Sequence, residues 1–185
     1  MNKSAVVTGC WGFIGNHLTK KLLQEGWFIY GIDKHTHVSN TVQLNYFSEN
    51  FPGKYEFIEE DITKIKRIPQ CDVVFNLAAE SHVENSFRNS NRFIKSNIDG
   101  VRNLLEIIDC TLSSYDKPLF FQISTDEVYG DIEQGQFDEQ SHLNPSNPYA
   151  ATKAAADLLI QSWARTHGLN YIIARPSNNY GIFQY

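Results

Sequence analysis

Two short segments carry side chains able to move protons. The first is Tyr149-Ala-Ala-Thr-Lys153. On a helix, positions i and i+4 share one face, so the phenol and the ammonium stand one above the other. A free phenol titrates near 10, too high for a base at neutrality, and an adjacent cation favours its ionised form. That pairing would make Tyr149 a general base, with Lys153 tuning it. The second is Ser124-Thr125-Asp126-Glu127. A hydroxyl beside two adjacent carboxyls offers a hydrogen-bonding group, an acid and a base, because confined carboxyls separate in pKa. Each motif by itself has an ordinary alternative. Tyr-x-x-x-Lys recurs on surface helices, and Asp-Glu can be a solvated strand exit.

A third segment binds rather than reacts. In Thr8-Gly9-Cys10-Trp11-Gly12-Phe13-Ile14-Gly15, Gly9, Gly12 and Gly15 permit a tight turn, close approach of backbone to a pyrophosphate, and close helix–strand packing. The helix start that follows, from Phe13 and Ile14, presents unpaired N–H groups and a favourable dipole to phosphates. Asp33 then closes the second strand. A carboxylate there accepts both ribose hydroxyls of an adenosine and repels a 2′-phosphate, which favours NAD over NADP, with Lys34 as its charged neighbour. Asp61-Ile62 flanks an adenine or caps a helix. Leu77-Ala78-Ala79 lets backbone run beside a cofactor. Ser81, His82 and Asn178 stand at strand exits where they face a cleft or finish a turn.

These segments need a frame that brings their ends together. Short apolar runs alternate with helical patterns. Strands are expected at Ser4–Thr8, Trp27–Asp33, Tyr55–Ile58, Asp72–Leu77, Leu119–Thr125 and Asn170–Arg175. Helices are expected at Gly12–Glu25, with Phe13, Ile14, Leu18 and Leu22 on one face, at Asn97–Ile108, and at Tyr149–His167. The runs VVFNLAA and LFFQIST are apolar almost throughout, as in a parallel sheet covered on both faces. The pattern predicts an α/β domain with a doubly wound parallel Rossmann-type sheet spanning 1–185. Ligands of such sheets gather at the carboxyl ends of the strands, and every segment above follows a strand or opens the next helix.

Composition narrows the classes. A hydrophobic share of 42% and a charged share of 20% are those of an ordinary globular chain. The net charge of -5 argues against a nucleic-acid partner and, more mildly, against an anionic membrane surface. The start shows no secretory pattern, and no stretch reaches the roughly 20 apolar residues of a membrane span, so a cytoplasmic location is expected. The three cysteines, Cys10, Cys71 and Cys110, have neither paired nor metal-like spacing, so no metal is expected and buried apolar roles are.

TGCWGFIG, Asp33, NLAAESHVENS, ISTDEVYGD, PYAATKAAAD and ARPSNNYG together resemble the ordered motifs of the extended short-chain dehydrogenase/reductase family, nearest its dTDP-glucose 4,6-dehydratase group. The resemblance implies that Gly9, Gly12, Phe13, Ile14, Gly15, Asp33, Lys34, Asp61, Ile62, Leu77, Ala78, Ala79, Tyr149 and Lys153 bind NAD. It implies that Tyr149 removes the sugar O4 proton, Lys153 tunes Tyr149 and holds the nicotinamide ribose, and Thr125 orients the 4-hydroxyl. Glu127 would take the C5 proton and Asp126 would protonate the departing C6 hydroxyl. Ser81, His82, Thr125 and Asn178 would touch a nucleotide-sugar substrate. The adjacent Asp126–Glu127 pair separates dehydratases from the family's 4-epimerases, which need no elimination. A non-catalytic NAD-binding module is the reading from another class.

The sequence also departs from the family pattern. Cys10-Trp11 replaces two small residues in the glycine turn, so the indole must point away from a pyrophosphate. Pro176 stands where the group has cysteine, and Ile182 where it has proline. The family continues past NNYG into a smaller substrate-binding lobe, whereas this sequence ends at Tyr185. The expectation is therefore a chain that binds NAD and turns over substrate poorly by itself. The resemblance also implies a homodimer through the helices at Asn97–Ile108 and Tyr149–His167.

Overall fold

The computed structural model describes residues 3–34, 36, 42–111, 117–182 and 184. Six parallel strands form one sheet: β1 (Ser4–Thr8), β2 (Phe28–Asp33), β3 (Tyr55–Glu59), β4 (Val73–Asn76), β5 (Leu119–Ile123) and β6 (Tyr171–Ala174). Their order is β3-β2-β1-β4-β5-β6. The chain leaves β1 toward β2 and β3, then returns to the other side of β1 with β4. This reversal opens a crevice at the carboxyl ends of β1 and β4, where the loops diverge.

The helices are α1 (Phe13–Gln24), α2 (Val42–Asn50), α3 (Val83–Arg88), α4 (Ser90–Phe93), α5 (Gly100–Thr111) and α6 (Pro148–His167). A π-helical segment, Ile94–Asp99, joins α4 to α5, and a 3₁₀ turn covers Asp126–Tyr129. Alternation along β1 divides the core between the two sheet faces. Val6 joins Ile32, Val74 and Phe120 beneath Leu104, Leu105 and Ile108 of α5 and Ile160 of α6. Ala5 and Val7 join Ile29, Leu22 and Leu23 of α1, and Phe47 of α2. Asn147 and Gly168 bound α6, the first as a side-chain cap and the second with a left-handed φ of 67°.

Several expected boundaries shift. The helix expected from Asn97 begins earlier, at Ser90, and passes through the π segment before Gly100. Helices α2 and α3 have weak local patterns and were not expected. The apolar stripe of α1 also differs: its buried residues are Gly15, Asn16, Thr19, Leu22 and Leu23, while Ile14 is 38% exposed. Phe13 and Ile14 instead line the crevice. Strand β5 stops at Ile123, because Thr125 turns to cap the 3₁₀ segment, accepting from the Glu127 N–H at 3.2 Å. Cys10 and Cys71 are buried, but Cys110 is exposed, against the expectation for all three.

Candidate active site

The glycine turn is built to exclude side chains. Gly9 has a left-handed φ of 68°, and a Cβ there would lie 2.8 Å from the Ala78 nitrogen. A Cβ on Gly15 would lie 2.0 Å from the Gly9 carbonyl oxygen. Backbone therefore packs on backbone, and α1 begins at Gly12 with no side-chain cap. Trp11 points into the core, 1% exposed and stacked on Phe57 at 4.1 Å, so the indole leaves the turn clear. The Trp11 backbone N–H donates to Asp33 Oδ2 at 2.8 Å, while the Lys34 backbone N–H donates to Asp33 Oδ1 at 2.8 Å. Both carboxylate oxygens are thereby oriented at the end of β2.

Beyond Asp33, the Lys34 ammonium donates to Asp61 Oδ2 at 2.9 Å, and Thr63 donates twice to Asp61 Oδ1. Partial burial works against ionisation of Asp61, but the Thr63 bonds and Lys34 outweigh it and hold the carboxyl below its usual range. Asp61 thus both organises the turn after β3 and lines the cleft.

A buried polar ladder fixes the strand ends beneath the cleft. Thr8 Oγ1 donates to Asn76 Oδ1 at 2.6 Å, and Asn76 Nδ2 donates to Gln122 Oε1 at 2.7 Å. Thr8 Oγ1 also accepts from the Leu77 and Ala78 N–H groups, each at 3.2 Å, which sets the course of Leu77-Ala78-Ala79. Next, Asn97 on the π segment brackets Glu80, accepting from its N–H and donating to its carbonyl, and donates to Thr152 of α6 at 3.0 Å. Sequence reasoning missed Asn97. Its neighbours Lys95, Ser96 and Asp99 are polar too, so one more amide before Gly100 gives no local signal.

The side chains expected to react meet at β5 and α6. Tyr149, Lys153 and Thr125 are 9%, 4% and 7% exposed. Lys153 Nζ donates to the Ile123 carbonyl at 2.6 Å, and burial pulls its pKa down to about 8, with Asp157 opposing. Burial first, and then the Glu127 carboxylate, push the Tyr149 phenol up to about 12, against a hydrogen bond from Thr125. The expected depression of the phenol by Lys153 is therefore not what this arrangement gives. The ammonium is engaged with Ile123, and the charge that acts most on the phenol is the Glu127 carboxylate.

The acidic turn is tied from two sides. Asn147 donates to Glu127 Oε2 at 2.8 Å. Arg175 donates through Nη1 to the Tyr129 hydroxyl at 2.7 Å and through Nε to Asp157 Oδ2 at 3.0 Å. Ser124 Oγ donates to the same Asp157 oxygen at 3.0 Å. Burial raises the pKa of Asp157, opposed chiefly by Arg175.

These parts surround one cleft of about 450 Å³. Its wall includes the three glycines, Phe13, Ile14, Asp33, Lys34, Asp61 and Ile62 at one end, and Leu77, Ala78 and Ala79 along its floor. Ser81, His82, Thr125, Glu127, Tyr149, Lys153 and Asn178 complete it. Asp126 is the one expected site residue outside the lining; its carboxylate accepts from Thr125 Oγ1 at 3.3 Å. Ser96 and Ser177 line the cleft without having been singled out. The glycine turn, the oriented Asp33 and the open start of α1 fit a dinucleotide: backbone donors face a pyrophosphate and a carboxylate faces a ribose.

Sheet order, glycine turn and the Tyr149–Lys153 pair define a Rossmann-type domain of the short-chain dehydrogenase/reductase kind. The family model described as GDP-mannose 4,6 dehydratase matches residues 6–185, and the chain belongs to that family. A dTDP-glucose 4,6-dehydratase of Haemophilus influenzae is 41% identical over 97% of this chain. A dTDP-glucose 4,6-dehydratase of Streptomyces venezuelae, solved with NAD and TYD bound, superposes with a TM-score of 0.86 at 33% identity over 98% of the chain. A UDP-glucuronic acid 4-epimerase of Bacillus cereus, solved with UDP-glucuronic acid and NAD, gives 0.87 at 29% identity over 98%. The chain spans 57% of the length of the Haemophilus relative and 58% of each of these two structures.

Proposed function

We propose that this chain is the NAD-binding, catalysis-bearing part of a lyase that converts a nucleoside-diphospho-glucose into its 4-keto-6-deoxy sugar. The observation that carries the reading is Glu127 and Thr125 sharing one cleft with Tyr149 and Lys153, with Asp126 adjacent. NAD, when bound, would accept hydride from C4 and later return it to C6, and its positive ring charge would favour the Tyr149 phenolate. Tyr149 takes the O4 proton as C4 is oxidised, and Thr125 hydrogen-bonds the same oxygen. Lys153 holds a ribose hydroxyl and adds positive charge behind the phenol. Glu127 takes the C5 proton, which the C4 ketone has acidified. Asp126 gives a proton to the leaving C6 hydroxyl, so water departs and no net oxidation results. Ser81, His82 and Asn178 contact the sugar nucleotide at the open end of the cleft.

The resemblance to a 4-epimerase structure supports a second reading, in which the same tyrosine would take the O4 proton while NAD accepts the C4 hydride, which would then return to the opposite face of C4. The Asp126–Glu127 pair favours dehydration, because epimerisation has no use for an acid beside a base. The relatives are named for dTDP-glucose and for UDP-glucose, so the substrate class is dTDP- or UDP-glucose. We also read the exposed Phe87, Ile94 and Leu158 around α3, the π segment and α6 as part of a homodimer face, which sedimentation analysis tests. Among the described residues, no helix is long and apolar enough to cross a membrane. The function is tested by incubating the whole gene product with each nucleotide glucose and following the sugar by NMR. A 4-keto-6-deoxy product is expected; a C4 epimer with the C6 hydroxyl retained would replace this reading with the second.

A further inference from the structure

The acidic turn after β5 and the start of α6 reach the cleft from different parts of the chain, yet one side chain touches both. Asn147 Oδ1 accepts from the Ala150 N–H at 2.8 Å, capping α6, and Asn147 Nδ2 donates to Glu127 Oε2 at 2.8 Å. Its backbone is extended, with φ -141° and ψ 162°, as a cap requires, and Pro148 follows as the first helical residue. Serine, aspartate and asparagine cap helices about equally well. Only the amide carries an acceptor for the helix and separate donors for a carboxylate on one rigid plane; an ionised aspartate has no donor. A cap alone does not call for asparagine here. The hold on Glu127 does.

We propose that Asn147 is a positioning residue for elimination: it fixes the Glu127 carboxylate against the start of the helix, two residues before Tyr149. The group that takes the C5 proton is thereby held in register with the group that takes the O4 proton. The inference rests on the dehydratase reading for the role of Glu127, while the two hydrogen bonds stand independently of it. Asn147 makes no contact with the reacting sugar in this scheme and acts through Glu127 alone.

Three variants of the whole gene product separate the two duties. Asn147→Ser keeps the cap and loses the amide donor. Asn147→Asp keeps the cap and sets a carboxylate against Glu127. Asn147→Ala loses both. In single turnovers, near-ultraviolet absorbance of the reduced cofactor reports C4 oxidation, and NMR in heavy water reports proton exchange at C5 and loss of the C6 hydroxyl. Asn147→Ser is expected to melt as the parent does and to oxidise C4 within roughly threefold of it. Its elimination slows by about tenfold or more, in keeping with the cost of small misplacements near reacting groups, so reduced cofactor accumulates. Asn147→Asp is expected to be slower still. Elimination by Asn147→Ser at the parental rate, or equal loss of both steps, overturns the inference. A parent that forms no 4-keto-6-deoxy sugar overturns the dehydratase reading and this inference with it.

Discussion

The two halves of the cleft are held by different means. Around β1 and β2 the site is made by backbone: glycines against carbonyls and amides, and Asp33 oriented by two main-chain N–H groups. Around β5 and α6 it is made by side chains reaching across long sequence gaps, Asn147 to Glu127 and Arg175 to both Tyr129 and Asp157. A steric site tolerates almost no added volume. A tethered site tolerates volume but fails when one partner of a tie is removed. Each half should therefore break in its own way.

The largest effect is expected in the steric half. Gly15→Val places a Cβ on the Gly9 carbonyl, where only main-chain movement relieves the clash. A stability loss above about 4 kcal/mol is expected, together with loss of NAD binding, read by denaturant unfolding and calorimetry. Gly26→Ala is the control: unlike Gly15, Gly26 has a positive φ of 85°, so alanine there meets backbone strain alone, with nothing within 4 Å of its Cβ site.

Next comes the tethered half. Arg175→Met leaves the fully buried Asp157 facing Ser124 without the guanidinium that bonds it. Breaking such a pair costs on the order of 3 kcal/mol, and removing both charges costs less. The double variant Arg175→Met/Asp157→Leu is expected to recover part of the loss in urea unfolding. If the double variant is as unstable as the sum of the singles, the tie is not a coupled pair.

Titration gives a smaller effect. The Lys153 pKa falls from 10.5 unfolded to about 8 folded, so the unfolded state binds more protons between pH 8 and 10. Stability contributed by this group therefore rises with pH across that window and is lowest below pH 8. The difference in stability between the parent and Lys153→Met should shift in the parent's favour from pH 8 to 10, measured by denaturant unfolding at each pH. The smallest effect is the cap: Asn147→Ala should cost about 1 kcal/mol, and Asn147→Ser only a few tenths.

The same contrast explains what the sequence makes legible. The glycine turn, the six strands and the run from Tyr149 to Lys153 are local patterns, and each appears where its spacing indicates. The ties are not local. Asn147 and Glu127 lie 20 residues apart, and Arg175 and Tyr129 lie 46 apart, so no helical or strand period reports them. Ile14 misled because an apolar residue in a first turn reads as core, whereas here it faces the crevice. The Tyr149 phenol was expected to be lowered by its i+4 lysine, but burial and Glu127 act more strongly on it, and Lys153 is turned to the Ile123 carbonyl. Spacing on a helix gives a shared face, not a shared hydrogen bond.

The central claim is that these two halves serve a dehydration. Its most direct test is NMR of the sugar formed when the whole gene product is incubated with dTDP-glucose or UDP-glucose. A 4-keto-6-deoxy sugar is expected, and Glu127→Gln is expected to abolish it while C4 oxidation persists. A sugar that keeps its C6 hydroxyl, formed equally well by Glu127→Gln, would contradict it.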